Sequence, residues 1–178
     1  MDIFEAIKNR RSIRRFLNKP VADELILQVI DAGTWAPSAH NKQPWAFVVV
    51  KQKETLTEIA ERSKYAKFLP QAAAAIVVCA NFSYKRNLLE EKGVEYFSVQ
   101  DTAAAVQNML LAAHGLGLGT CWIGDVNEPQ LRDMLNIPVD FAPVCIMALG
   151  WPEADINPKA PARKAPQEVI GWEKFGDV

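Results

Sequence analysis

Hydrophobic residues along the chain follow two different spacings, which predict where helices and strands lie. Between residues 22 and 35, leucine, isoleucine and valine recur every three or four positions, as on the buried face of a helix. Similar spacing, or helix-forming residues beside a capping residue, predicts further helices over residues 2–8, 54–63, 99–115 and 128–135. Short apolar runs rich in β-branched residues predict strands over residues 45–50, 72–80, 119–124 and 143–150.

The order of these elements predicts one mixed domain that spans residues 1–178. Helices and strands alternate around a sheet of about four strands, which is typical of an α+β fold or of a three-layer α/β/α arrangement. The run AAAAIVVCA (72–80) is apolar throughout, so we expect it to form a buried central strand. Apolar residues and alanines dominate residues 99–115, with Val99 at the start of the pattern, which indicates a long helix buried on most sides.

The last part of the chain, residues 151–178, differs in composition from the rest. It contains four prolines, followed by the sequence EVIGWEKF with the large apolar residues Trp172 and Phe175. Prolines favour an extended backbone, and apolar residues at a chain end need a surface that covers them. We therefore expect an extended C-terminal arm that packs on a partner subunit.

Composition and charge place the chain among ordinary globular proteins. Of its 178 residues, 49% are hydrophobic and 23% are charged, and the net charge at pH 7 is −1. The N-terminus lacks the basic and apolar regions of a signal peptide, and the longest apolar run is too short to cross a membrane. We expect a cytoplasmic protein with no membrane contact, in which Cys79, Cys121 and Cys145 are buried, reduced thiols.

Several kinds of catalytic site are not indicated by the sequence. The two histidines, His40 and His114, are far apart in the chain and belong to no metal-binding motif, so no metal site is expected. Neither a GxSxG nucleophile elbow nor a GxxxxGK(S/T) phosphate-binding loop occurs. The glycines of HGLGLG (114–119) follow a helix, whereas a dinucleotide-binding fingerprint precedes one. We expect them to end the helix and to let the next strand pack closely.

The most unusual local feature is the basic segment RRSIRRF (10–16). Residues 8–19 carry six positive side chains and no acidic one. If the segment is extended, its side chains alternate, and Arg10, Ser12 and Arg14 share one polar face. At about 3.3 Å per residue, Arg10 and Arg14 lie roughly 13 Å apart, a distance comparable to that from the phosphate of a mononucleotide to the far edge of its rings.

Three interpretations of this segment have to be compared. A guanidinium group suits a phosphate, and a second one suits an electron-rich ring edge. A solvated surface patch explains the segment equally well when the segment is taken alone. A nucleic-acid arm fits less well because the rest of the chain is slightly acidic and carries no recognised binding motif, so we expect no nucleic-acid partner.

A second feature is the loop WAPSAHNKQPW (35–45). Pro37 and Pro44 restrict its backbone, while Ser38, Asn41 and Gln43 offer hydroxyl and amide groups that can hydrogen-bond a heterocycle. Taken alone, the loop is equally compatible with a plain connection between a helix and a strand.

Together, these motifs resemble the nitroreductase family of oxidoreductases, which depend on flavin mononucleotide (FMN). The resemblance covers nearly the whole chain, and four motifs occur in the family's order: RRSIRRF (10–16), APSAHNKQPWAFVVV (36–50), DTAAAVQNMLLAAHGLGLGTCWIG (101–124) and the basic pair Arg163 and Lys164. It implies a mostly antiparallel sheet flanked by helices, in a homodimer with two flavin sites at the interface. The helix over residues 99–115 would form the dimer core, and the arm over residues 151–178 would be exchanged between subunits.

The resemblance also implies which residues hold the flavin. The phosphate and ribityl chain would be bound by basic and hydroxyl side chains, namely Arg10, Arg11, Ser12, Arg163 and Lys164. Arg14 would lie by the pyrimidine edge of the ring system, where its positive charge would stabilise the anion of the reduced flavin. It is the one residue to which the resemblance gives a catalytic role, and that role is electrostatic. The loop of the other subunit would contribute Pro37, Ser38, Asn41 and Gln43. Backbone groups of Ile123 and Gly124 would lie near the reactive side of the ring.

The activity implied by the resemblance is hydride transfer from NADH or NADPH, through bound FMN, to an oxidised small molecule such as a nitroaromatic or a quinone. The two half-reactions would follow each other at one site. The alternative is a flavin-binding protein for sensing or storage that does not turn over nicotinamide nucleotides. Tyr84, Tyr96 and Phe97 in a candidate lid (84–97) either stack on a substrate or only pack under a surface helix. Arg15 has no role in this scheme, and we expect its side chain to be solvated.

Overall fold

The structure is a computed structural model, which describes residues 2–83, 91–154 and 158–175. The helices and strands of these ranges follow one another in the order α1 (Ile3–Asn9), α2 (Asp23–Thr34), β1 (Trp45–Val50), α3 (Lys53–Glu61), β2 (Ala74–Asn81), α4 (Glu91–Gly115), β3 (Gly119–Ile123), α5 (Glu128–Leu135) and β4 (Phe141–Gly150). Each predicted helix and strand is therefore present, with ends that differ from the prediction by a few residues except at α4.

The strands form one sheet in the order β1-β2-β4-β3, and each neighbouring pair is antiparallel. The expected antiparallel sheet of an α+β fold is thus confirmed. All residues of β2 except the last are buried, as the apolar run predicted. Strands β2 and β4 lie at the centre, which leaves β1 and β3 at the two edges of the four-stranded sheet.

Helices cover both faces of the sheet and give it three layers. The alternate side chains of β2 divide between two core clusters, because successive residues of a strand point to opposite faces. The face covered by α3 and α5 includes Ala75, Val77 and Cys79. The face covered by α2 and α4 includes Ala74, Ile76 and Val78. Full burial of one such aliphatic side chain is worth about 1.5–3 kcal/mol, so the two clusters together supply much of the driving force for folding.

Helix α4 differs most from the sequence-based expectation. It begins at Glu91, well before the predicted start at Val99, and it continues to Gly115. Val99 itself is 45% exposed, whereas Thr102, Val106 and Met109 are fully buried. The apolar spacing did not reveal the early start because residues 91–98 mix apolar residues with charged residues and a glycine in no clear helical repeat, although glutamate and lysine among them favour a helix.

A large apolar surface of the described chain lies outside the core. Phe4 on α1 is 65% exposed, and Trp172 and Phe175 in the C-terminal arm are 83% and 94% exposed. The beginning of the arm, however, attaches to its own chain, because Pro152 forms a bridge with Phe16. Exposed aromatic side chains in such number are typical of a surface that another protein surface covers. Within the described ranges, no helix combines the length and the apolarity that crossing a bilayer requires.

Candidate functional site

The basic segment 10–16 lies as a short additional strand along the outer edge of β3. Ser12 forms a parallel bridge with Thr120, and the backbone N–H of Ile13 donates to the Thr120 carbonyl oxygen at 2.7 Å. The side chains of Ile13 and Phe16 are 8% and 4% exposed, so they anchor the segment in the core. This confirms the extended conformation and leaves the arginines on the outside of the sheet edge.

At the start of the segment, Arg10 and Arg11 line a cavity of about 350 Å³ together with His114 and residues 117–120. Burial lowers the pKa of the half-buried Arg10, and the positive charges of Arg11 and Arg163 lower it further. Arg163 from the arm therefore acts on Arg10 within the same chain. Cations gathered in this way repel one another, and a bound anion would relieve that repulsion.

Arg11 has a second contact that the sequence did not reveal. Its Nη1 donates to the carbonyl oxygens of Lys8 at 2.6 Å and of Arg10 at 2.9 Å. The guanidinium thus hydrogen-bonds a free carbonyl group at the C-terminal end of α1. Its positive charge also interacts favourably with the negative end of the helix dipole. Arg11 contributes positive charge to the cavity, but its Nη1 already donates hydrogen bonds to backbone carbonyl groups. Lys164, by contrast, is exposed next to Arg163.

Between the two ends of the segment, Ser12 lies close enough to the buried thiol of Cys121 to affect its pKa. Burial raises the pKa of Cys121, while the charge of Arg14, a hydrogen bond with Ser12 and the charge of Arg10 lower it. Both arginines therefore lie within electrostatic reach of one residue of β3. The net upward shift of the pKa keeps Cys121 a thiol, which excludes it as an activated nucleophile at neutral pH.

The other end of the segment borders a second cavity of about 250 Å³. It is lined by Arg14 and by part of β3 and the loop that follows, including Ile123 and Gly124. The structure thus brings Arg14 together with the two residues that were expected beside the flavin ring. Tyr65, which is 57% exposed, also lines this cavity, although no motif in the sequence marked it. The guanidinium carbon of Arg14 lies 5.9 Å from the ring centroid of Phe68.

The loop over residues 35–45 adopts an unusual backbone. His40, Asn41 and Gln43 have φ angles of 50°, 54° and 50°, in the left-handed region that few side chains favour. Two contacts hold the loop in this shape. The Ser38 hydroxyl accepts from the backbone N–H of Gln43 at 3.0 Å, and the Asp101 carboxylate accepts from the backbone N–H of Ala39 at 3.1 and 3.2 Å.

Asp101 is therefore a supporting residue of the loop that sequence reasoning missed. It is only 9% exposed, and burial raises the pKa of its carboxyl group, while the hydrogen bond from Ala39 lowers it. The motif DTAAA contained it, but only as part of a helix pattern. The candidate flavin contacts of this loop, Pro37, Ser38, Asn41 and Gln43, line neither the cavity at Arg10 nor the cavity at Arg14. A role in flavin binding would place them in the site of another subunit.

The remaining expectations concern aromatic side chains and Arg15. Tyr84 lies outside the described residues, as does much of the candidate lid. The rings of Tyr96 and Phe97 pack edge to face with centroids 5.5 Å apart. Arg15 is exposed, as expected, and its guanidinium forms an ion pair with Glu153 at the surface. This pair fastens the segment to the start of the arm, a long-range contact that local sequence does not reveal.

Comparisons with known proteins agree with the fold and with the motifs. The model described as "Nitroreductase family" matches residues 7–65 and 60–151. A Methanothermobacter thermautotrophicus protein, provisionally named NADH dehydrogenase/NAD(P)H nitroreductase, is 39% identical over 85% of this chain and 78% of the relative. The Bacillus subtilis FMN reductase (NAD(P)H) is 31% identical over 97% of this chain and 74% of the relative. The structure of Vibrio harveyi NADPH:FMN oxidoreductase complexed with NAD⁺ has 27% identity and a TM-score of 0.88, and the match covers 99% of this chain and 79% of that one.

Proposed function

Because this chain belongs to the nitroreductase family, we propose that it is an oxidoreductase that carries hydride from NADH or NADPH, through bound FMN, to a small oxidised acceptor. A nitroaromatic or a quinone is the acceptor class, and donor and acceptor use the same site in turn. One observation carries the proposal most directly. The basic segment runs along β3 from a cation-lined cavity at Arg10 to a second cavity at Arg14.

The residues present fit the two chemically different ends of FMN. The cavity at Arg10 combines positive charge with the buried Nε2 of His114, which has no hydrogen-bond partner among the described residues. Such a donor set suits a phosphate. The cavity at Arg14 combines one guanidinium and the acidic residue Asp125 with aromatic and backbone groups, which suits the polar edge and the face of a ring system. The roughly 13 Å between Arg10 and Arg14 in an extended segment matches the span between these ends.

The protein's part in the reaction is binding, orientation and electrostatics. When bound, FMN supplies the hydride-accepting and hydride-donating chemistry. Arg10, Ser12 and Arg163 hold the phosphate and ribityl end, with Arg11 and Lys164 adding positive charge. Arg14 places a fixed positive charge where the pyrimidine edge lies, which favours negative charge on that edge. Ile123 and Gly124 orient the ring through their backbone groups, and the mechanism requires no side-chain nucleophile.

The complete site belongs to a homodimer. The exposed apolar residues of α1 and of the arm, including Phe4, Trp172 and Phe175, support a large subunit interface. The loop over residues 35–45 lines neither the cavity at Arg10 nor the cavity at Arg14 of its own chain, so we assign it to the flavin site of the partner. Its shape, held by Asp101, then presents Ser38, Asn41 and Gln43 to the ring.

Steady-state kinetics of the FMN-loaded protein test the proposal. NADH or NADPH oxidation is followed at several fixed concentrations of a quinone or a nitroaromatic, and the proposal predicts parallel double-reciprocal plots. Intersecting plots would contradict alternation at a single site. FMN that binds tightly but supports no oxidation of either nucleotide would favour the sensing or storage alternative. Binding of DNA or RNA that survives saturation with FMN would show that the arginines serve a different ligand.

A further inference from the structure

His114 is a half-buried residue whose Nε2 belongs to the donor set of the cavity at Arg10, but the proposed mechanism gives its protonation no role. It lies in the last turn of α4 and lines the cavity beside Arg10 and Arg11. Its Nε2 is buried and has no hydrogen-bond partner in the part of the chain that the structure describes. Such an atom is unfavourable unless a ligand or water completes its hydrogen bonding.

The helix end itself does not use the imidazole. The carbonyl oxygens of Ala112, Ala113 and His114 accept from the backbone N–H groups of residues 116, 118 and 117 at 3.0, 2.8 and 3.0 Å. The backbone of the loop that follows α4 therefore caps these carbonyl groups. The helix end thus leaves Nε2 without a partner, and because this atom is shielded from water although His114 lines the cavity, a ligand reaches it only after the imidazole ring turns.

Every charged group that faces His114 from the described lining is positive. Arg10 and Arg11 come from the segment after α1, and Arg163 reaches Arg10 from the arm. The other lining residues are uncharged: Asn9, Ile13, residues 117–120, Pro152 and Pro158. Burial lowers the pKa of His114, and the charges of Arg10 and Arg11 lower it further. Without an anion, His114 is therefore neutral at pH 7.

We propose that His114 donates from Nε2 to the phosphate of the bound flavin nucleotide and that it takes up a proton when this phosphate enters the cavity. The inference rests on the proposed function, since it names FMN as the ligand. A phosphate cancels the field of the arginines and adds a negative charge next to the imidazole, and both effects favour the protonated form. His114 thus couples retention of the cofactor to pH.

The sign of this coupling follows from proton linkage. The complex binds one proton more than the free protein over the interval between the pKa of free His114 and its higher pKa in the complex. Within that interval, a fall in pH strengthens FMN binding through His114. The phosphate of FMN itself gains charge with rising pH, near a second pKa of about 6, and this works in the opposite direction. A variant whose side chain at position 114 keeps a hydrogen-bond donor but has no titrating group separates the effect of His114 from that of the phosphate.

The experiment uses NMR titration of the imidazole groups in the full-length protein, alone, with FMN and with riboflavin. The chain has only two histidines, so His114→Gln assigns both signals. We expect FMN to raise the pKa of His114 by about one unit or more, and riboflavin, which lacks the phosphate, to leave it unchanged. His40 is exposed in the loop over residues 35–45 and serves as an internal control. If its signal responds to the flavin ring, it should respond equally to FMN and to riboflavin, because both contain the ring.

Affinities measured by fluorescence quenching provide the second readout. His114→Gln retains a neutral donor, so its FMN affinity should equal that of the wild type near pH 8. For a pKa rise of one unit it should be about threefold lower near pH 6 and up to about tenfold lower below both pKa values. His114→Leu loses the donor as well, so it should weaken FMN binding about tenfold near pH 8 and more than that near pH 6, and it should leave riboflavin binding unaffected. The thermal melting of each variant without flavin checks that it is folded.

Three results would overturn the inference. The first is a His114 pKa that is the same with FMN as with riboflavin. The second is a pH dependence of FMN affinity that His114→Gln does not change. The third is an upward shift with inorganic phosphate but none with FMN, which would leave an anion site that the flavin does not use. A protein that binds no flavin at all would instead refute the proposed function.

Discussion

The contact between Gly119 and Ile13 predicts that one added methyl group disturbs both the fold and the flavin site. Gly119 is the first residue of β3 and is buried under the basic segment. A Cβ atom at this position would lie 2.9 Å from Cγ2, 3.0 Å from Cβ and 3.1 Å from Cγ1 of Ile13. These atoms belong to the branched, stiff part of the isoleucine side chain, so the backbone of the segment has to move with them.

The expected cost of Gly119→Ala is that of an overpacked core, about 1–3 kcal/mol of unfolding free energy. For a chain of this size, a loss of 1 kcal/mol lowers Tm by about 2–4 °C, so we expect a decrease of roughly 2–12 °C. Because the displaced segment carries Arg10, Ser12 and Arg14, the FMN affinity should fall as well. Ile13→Ala removes Cγ1 and Cγ2, so the double variant should lose less stability than the sum of the two single variants.

Thermal unfolding without flavin and fluorescence titration with FMN measure the two effects separately. Gly115→Ala, four residues earlier, is the matched control, because no atom lies within 4 Å of the added Cβ. Its helical position predicts a gain of about 0.4–1 kcal/mol and unchanged FMN binding. The reasoning is refuted if Gly119→Ala is as stable as the wild type, or if both alanine variants change stability and FMN affinity alike.

Three further predictions concern the arginines, the buried carboxylate and the thiols. Arg10→Ala should weaken FMN binding about 10- to 100-fold through the phosphate, whereas Arg14→Ala should slow reduction of bound FMN by NADH or NADPH more than it weakens retention. Asp101→Asn should raise Tm more at pH 7 than at pH 4, because the raised pKa of Asp101 makes the folded protein less stable as the pH rises through it. Native protein at pH 8 should resist iodoacetamide, as mass spectrometry will show, because burial raises the pKa of Cys79 to about 11 and that of Cys145 to about 12.

Each of these predictions has a control and a contradicting result. Arg15→Ala breaks only an exposed ion pair, worth at most about 1 kcal/mol, and should leave FMN binding unchanged. If Arg10→Ala and Arg14→Ala merely weaken FMN binding to the same extent, the division of roles between them is wrong. A Tm difference for Asp101→Asn that shrinks between pH 4 and pH 7 contradicts the raised pKa. Alkylation of the thiols in folded protein as fast as in urea contradicts their burial.

Much of the fold could be predicted because local pattern and tertiary structure agree. The apolar run that contains β2 is buried on both faces, and the glycines after α4 end that helix, with Gly117 at a φ of 78°. The prediction that Arg10, Ser12 and Arg14 share one face depended on an extended segment, and the bridge between Ser12 and Thr120 confirms that conformation. The start of α4 could not be read from apolar spacing, because packing against α2 and β2 selects Thr102 and Met109 rather than Val99.

The candidate site was predictable where one motif contains its residues, and less so where distant parts of the chain meet. Arg10, Ser12 and Arg14 lie within one motif of seven residues, RRSIRRF (10–16). The ion pair of Arg15 with Glu153, by contrast, joins residues that are far apart in the sequence. The support of the 35–45 loop by Asp101 and the position of His114 in the cavity depend in the same way on how α4 packs.

The central claim is that FMN bound along β3 cycles between a nicotinamide donor and a small oxidised acceptor. Anaerobic mixing of the FMN-loaded protein with NADH or NADPH, followed by its visible absorption, tests this claim most directly. The account predicts that the flavin band bleaches with one equivalent of at least one of the two nucleotides and returns when a quinone or nitroaromatic is added. A protein that takes up no FMN, or bound FMN that neither nucleotide bleaches, would contradict it.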